Sequence, residues 1–381
     1  MVTKLSKSLH SKAKPSKSDK GPVWEGPVAD GITYSLLCRF LCCRERFRLL
    51  VVEGLKPVEQ FNHRIEYGQM WHTCEEALAQ ADGTLIQGTE YCWTVALNGY
   101  VSGLCKKYPL QQEQIQHWYN VCCIQFPVYV DYWSRHPDVT NRTSLLQEQV
   151  FDVPYQLPSG RIIRLRGKWD SVDLIGKGKA ASVYLFETKT KGDVKEEQLQ
   201  RQLSSGFDLQ TMLYLVAIER SQGPVFADGV LNKLDARLSG VRYNVIHRPL
   251  SGGKDSIRQK QNESPEEFYV RLRALIIDHP DYYFMRWKVE VTPQDIIRFR
   301  RECLDPILEE LCDWWGNVAR VSDPFVNNAL PTGAGRHWRH PFGVYNVLDE
   351  GGAGELDEYL ATGSTLGLER VSNLFRELDD D

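Results

Sequence analysis

The chain has 381 residues, 42% of them hydrophobic and 11% aromatic, which is too rich in core-forming side chains for a disordered protein. Its formal net charge of −4 excludes a uniformly basic nucleic-acid coat, so contact with a polyanion has to come from local patches. No window approaches the roughly 18 to 20 consecutive apolar residues of a membrane span, and the ten cysteines lack the regular framework of small secreted domains; a cytoplasmic protein with reduced thiols and no membrane partner is expected.

Residues 1–22 carry Lys4, Lys7, Lys12, Lys14, Lys17 and Lys20 against Asp19 and read either as a disordered basic arm or as a solubilising tail. From there to residue 140 the periodicity is helical. "ITYSLLCRFLCCRERFRLLVVEGL" and "VEQFNHRIEYGQMWHTCEEALAQA" are separated by Pro57, and further helices over 88–134 are expected to break at Pro109 and Pro127.

The character changes at "LLQEQVFDVPYQLPSGRIIRLRGKWDSVDLI", where β-branched residues flanking the turn "LPSGR" predict two strands, and "ASVYLFETKT" supplies a third. Helical periodicity through "VKEEQLQRQLSSGFDLQTMLYLVAIER", strands at "GVRYNVIHR" and "FMRWKVEVT", and helices capped by Ser264 and Thr292 complete the order. This order predicts an α/β (α+β) fold in which helices flank a central mixed sheet and a helical region precedes it. Residues 141–350 are read as the core with its C-terminal helix and loop. The segment from 322 reads as irregular, and 351–381 as an acidic tail with a short helical end.

Charge in the predicted sheet marks the candidate site. Glu187 and Lys189 share a strand face, as do Arg164, Arg166, Lys168 and Asp170 one strand earlier, whereas Asp173 falls on the face of Leu165 and Trp169. If the strands are neighbours, Asp170 and Glu187 converge, and two carboxylates there suit a hard divalent cation, with Lys189 beside them for a phosphate or a water. Salt bridges at a strand edge would produce the same pattern.

"GKWDSVDL" followed by "VYLFETKTKG" resembles the Asp and Glu-x-Lys motifs of the PD-(D/E)XK nuclease superfamily, in particular its RecB-like branch. "GQMWH" supplies a Gly-x-x-x-His, Gly68 to His72, "QTMLY" a Gln-x-x-x-Tyr, Gln210 to Tyr214, and "ITYSLLCRFLCCRERFRL" is similar to the opening helix of that branch. The resemblance implies a metal-dependent DNA nuclease, an exonuclease of repair, recombination or phage DNA processing, with a helicase or recombination protein as a possible partner. It implies Mg²⁺ or Mn²⁺ held by His72, Asp170 and Glu187, catalysis by Asp170, Glu187 and Lys189, and substrate contacts from Gln210, Tyr214, Arg166 and Lys168. The alternative is a catalytically weak DNA-binding or assembly subunit that keeps the fold. Many members of that branch carry an iron-sulfur cluster on one early and three late cysteines. Here Cys43 holds the early position but "DPFVNNALPTGAGRHWRHPFGVYNVL" has no cysteine, so no cluster is expected, and Arg336, His337, Arg339 and His340 read as a basic DNA-facing loop. The cleavage motifs do not read the 2′-hydroxyl and leave DNA and RNA undistinguished.

Overall fold

The computed structural model describes residues 23–42, 44–58, 60–80, 87–192, 208–222, 230–249, 257–317, 337–340, 343–346, 362–371, 373–375 and 378. The chain opens with α1 (Tyr34–Cys42) and a short strand β1 (Leu55–Pro57), followed by three long helices, α2 (His63–Gln80), α3 (Gln87–Lys107) and α4 (Gln112–Arg135). A hairpin of β2 (Arg142–Gln156) and β3 (Ile162–Ile175) comes next, then β4 (Ser182–Lys191), α5 (Leu209–Ser221), β5 (Arg237–His247), α6 (Pro265–Asp278) and β6 (Phe284–Glu290). The helices α7 (Pro293–Phe299) and α8 (Asp305–Asn317) follow, joined by a π-helical turn.

Strands β2 to β6 form one sheet in sequence order, parallel between β4 and β5 and antiparallel elsewhere. This is the expected mixed α/β sheet. The central strand β4 is buried on both faces, in line with its apolar run Val183–Phe186. One apolar layer joins α1, α5 and α8 to the sheet. The other joins α2, α3, α4 and α6 around Trp71, Phe126 and Phe284. The early helices therefore divide between the two layers.

The predicted caps are present. Ser264 and Thr292 each accept from the backbone three residues on, and Glu267 and Asp295 return the bond, closing two capping boxes. Pro127, expected to break the helical stretch, lies inside α4. Phe126, Val128 and Tyr129 around it are buried against the neighbouring helices, and that packing outweighs the ~3 kcal/mol that proline costs a helix interior.

The C-terminal third departs from expectation as well. Within the segment read as irregular, β7 (His337–His340) and β8 (Gly343–Asn346) pair antiparallel. In the stretch read as an acidic tail, β9 (Leu368–Arg370) pairs with β1, and the buried Phe375 ring lies 4.4 Å beneath the Arg166 guanidinium. Leucine, valine and phenylalanine between the acids give this end an apolar face to dock. The basic arm, Cys43 and Arg336 lie outside the described residues.

Candidate active site

Strands β3 and β4 are paired from Ile175↔Ser182 to Ser171↔Phe186, where the ladder ends. Asp170 and Glu187 are the next residues of their strands, so both carboxyls stand where the strands part. Asp170 accepts the Thr188 backbone N–H through Oδ2 at 2.7 Å, which ties the two strand ends together.

The alternation of β4 sends its side chains to two helices. On one face Lys189 donates from Nζ to Glu187 Oε1 at 2.6 Å and to Gln210 Oε1 of α5 at 2.7 Å, and Gln210 Nε2 lies 3.4 Å from the Tyr214 hydroxyl. On the other, Thr190 meets α2 at Gly68, where a Cβ would come within 3.3 Å of Thr190 Oγ1. The glycine of the Gly-x-x-x-His pattern thus lets α2 lie against β4, and His72 follows one turn later on the same helix face.

His72 closes the cluster. Its Nδ1 is 3.1 Å from Glu148 Oε1 and 3.8 Å from Asp170 Oδ1, and ligand atoms of His72, Glu148 and Asp170 all lie within 4.8 Å of one another. Glu148 is a site residue that the sequence reading missed. The flanking pairs Gln147↔Ser171 and Gln149↔Trp169 place it opposite Asp170 across the hairpin, and its backbone takes the left-handed conformation, φ 47°, that glutamate rarely adopts. A register shift between Ser144 and Leu146 lies just upstream.

Confining carboxyls and cations together moves their proton affinities. Burial pushes the Asp170 carboxyl up to about 6 against the pull of His72, and the Glu187 carboxyl up to about 8 against the pull of Lys189. Burial alone would lower His72, but Asp170, Glu148 and Glu75 around it push it up to about 10. Lys189 is likewise penalised by burial, yet Glu187, Asp208 and Asp170 hold it above its ordinary value. Glu187 Oε2 is buried and finds no hydrogen-bond donor among the described residues.

Of the other predicted site residues, Lys168 is drawn in, its Nζ 3.6 Å from Glu148 Oε2. Arg166 engages Asp152 at 3.4 Å and the Asp30 carbonyl at 3.4 Å besides covering Phe375. Asp173 is not part of the cluster. It is fully buried and accepts from Arg142 Nε at 2.8 Å, Ser171 Oγ at 2.8 Å and Arg242 Nη1 at 2.9 Å.

Two carboxylates and one imidazole within 4.8 Å of one another form a set suited to a hard divalent cation. The sequence signature of the PD-(D/E)XK nuclease superfamily matches residues 32–298. The chain belongs to that superfamily. Among curated proteins none matches the chain. Among the described residues no helix is long and apolar enough to cross a membrane.

Proposed function

We propose that the protein is a divalent-metal-dependent nuclease that hydrolyses phosphodiester bonds in DNA. The observation that carries this reading is the convergence of His72, Glu148 and Asp170 within 4.8 Å, beside Glu187 and a lysine fixed by two acceptors. His72, Asp170 and Glu187 hold the ion, joined by Glu148; Mg²⁺ or Mn²⁺ fits the oxygen-rich set. When bound, such an ion supplies charge neutralisation at a phosphate and lowers the pKa of water.

The chain's own residues do the rest. Two of the three ammonium N–H groups of Lys189 go to Glu187 and Gln210, which leaves one to donate to a phosphate oxygen or to the attacking water. Gln210 fixes that ammonium and with Tyr214 positions substrate; Lys168, beside Glu148, adds a cation. Exonucleolytic action in repair, recombination or phage DNA processing, in a cytoplasmic setting beside a helicase or recombination protein, is the context that the RecB-like resemblance implies.

The test is a cleavage assay on labelled single- and double-stranded DNA, with RNA alongside, in Mg²⁺ or Mn²⁺ and in EDTA, using Lys189→Ala as the control. Metal-dependent cleavage absent from the variant supports the reading. Binding without cleavage by the intact protein would favour the DNA-binding alternative.

A further inference from the structure

A cleft of about 870 Å³ opens between the ends of α2 and α4 and the first residues of β2, and it adjoins the carboxylate cluster. Glu75, on its lining, sits one turn of α2 beyond His72, and Gln147, also on the lining, precedes Glu148. The volume is within the ~300–1,000 Å³ range of small-ligand pockets and accommodates a nucleoside.

Its chemistry is that of a stacking site. Tyr129 and Trp133, four apart on α4, face it together with Phe186. The Arg286 guanidinium lies among the rings, 4.1 Å from the centroid of Trp133, 5.4 Å from Tyr129 and 5.2 Å from Phe186. Arg286 also donates to the Tyr129 hydroxyl at 2.7 Å and to Asn244 Oδ1 at 2.9 Å, so the aromatic group is braced before any ligand arrives. The charges on the lining are already opposed: Arg286 lies 3.3 Å from Asp138, and Arg142 donates to Asp173. A balanced lining favours a flat neutral ring with polar edges over a free phosphate, and the exposed Thr143 at the rim offers a hydroxyl to such an edge.

We propose that this cleft receives an unpaired nucleobase of the strand whose phosphate lies at the carboxylate cluster. The proposal rests on the nuclease reading and makes the protein selective for single-stranded ends or gaps. A paired base would reach the cleft only after unstacking, which disfavours a duplex.

The experiment measures equilibrium binding in EDTA, where no cleavage intervenes, of decathymidylate and of an abasic decamer with the same phosphates. Base-to-aromatic stacking predicts about a tenfold or larger preference of the intact protein for the base-bearing strand. That preference should vanish in Trp133→Ala and persist in Trp133→Phe. Thr143→Trp, which fills the cleft from its exposed rim without removing a packed ring, should abolish it too and covers the case in which Trp133→Ala fails to fold. No preference in the intact protein, or a preference that survives both Trp133→Ala and Thr143→Trp, overturns the proposal. A protein that prefers bases yet cleaves nothing in Mg²⁺ or Mn²⁺ would keep this subsite and remove the nuclease reading alone.

Discussion

Lys189 and Glu187, separated on one strand by Thr188 alone, form an ion pair 2.6 Å long, its carboxylate buried and its ammonium half-buried, whose lysine end is also fixed by Gln210. Burying such a pair costs more than its attraction returns unless something else uses the charges. Cleavage should therefore require a divalent cation, and Lys189→Ala and Glu187→Ala should each reduce the rate by about 100-fold or more. Both proteins should still melt cooperatively, because these side chains lie at the edge of apolar packing. Full activity in excess EDTA, or in either variant, would sink the nuclease reading.

The proton affinities carry a second expectation. Glu187 goes from an ordinary 4.5 to about 8 in the folded protein, and Asp170 from 3.8 to about 6. A carboxyl whose folded value is raised holds a proton that the unfolded chain releases, so its contribution to stability is present below the unfolded value and is lost as pH rises through the folded one. His72, pushed up to about 10, works in the same direction. In EDTA the melting temperature should fall between about pH 5 and about pH 9, and less steeply for Glu187→Gln. Stabilisation by added Mn²⁺ should grow over the same interval, since the ion displaces those protons. Parallel melting profiles for the two proteins would contradict this.

The two aspartates of "GKWDSVDL" separate into different roles. Asp170 faces the cluster; Asp173 is fully buried between Arg142 and Arg242. Asp170→Asn should abolish cleavage while leaving stability equal or higher, because it removes one of several repelling carboxyls. Asp173→Asn leaves two arginines short of a counter-charge and should cost about 3 kcal/mol or more, with substantial cleavage remaining below its lowered melting point. Single-turnover rates and melting curves on both variants decide the matter; an inactive but stable Asp173→Asn beside an active Asp170→Asn would reverse the assignment.

Much of this architecture is legible in the sequence because local signals and packing agree. The turn "LPSGR" and its β-branched flanks mark the β2–β3 hairpin. Alternation did not place Asp173: Trp169 and Val172, three apart, both pack in the layer of α5, so the parity breaks between them, and Asp173 lies not with Trp169 but with Ser171 and Arg142. Glu148 was missed because a glutamate between two glutamines, in "LLQEQV", carries no motif. Hairpin arithmetic would have found it: with Gln156 opposite Ile162, counting back along β2 brings Glu148 opposite Asp170. Pro127 and the docked β9 were missed for another reason. Both depend on contacts with distant segments, which outweigh local preference and leave no periodic trace.

Glu148 supports a prediction of its own. It bonds the His72 ring, lies near Lys168, and holds a backbone conformation that few glutamates adopt, which makes strain at this position part of the site. Glu148→Gln keeps the size of the side chain but weakens the pull on His72. Metal affinity should fall by about 10- to 100-fold, and cleavage should recover at higher Mn²⁺. Titration calorimetry reads the affinity without relying on turnover. Unchanged affinity would make Glu148 a bystander of the cluster.

Gly68 tests whether helix placement, and not ligand identity alone, sets the site. A Cβ there would approach Thr190 Oγ1 at 3.3 Å, tighter than ordinary contact but against the tip of a small side chain. Gly68→Ala should therefore be tolerated, since the ~1 kcal/mol gain in helix propensity offsets a shift of a few tenths of an ångström. Gly68→Val adds two methyls at the same point and has no such relief, so α2 must move off β4. Because His72 is one turn along that helix, the imidazole moves with it. Weaker Mn²⁺ binding and slower cleavage are expected for Gly68→Val, about tenfold or more for an ångström-scale displacement of a catalytic group. Thr190→Ala in the Gly68→Val background removes Oγ1, opens the space and should restore metal binding in part. Were Gly68→Val to bind Mn²⁺ like the intact protein, the close approach of α2 to β4 would not be what positions His72.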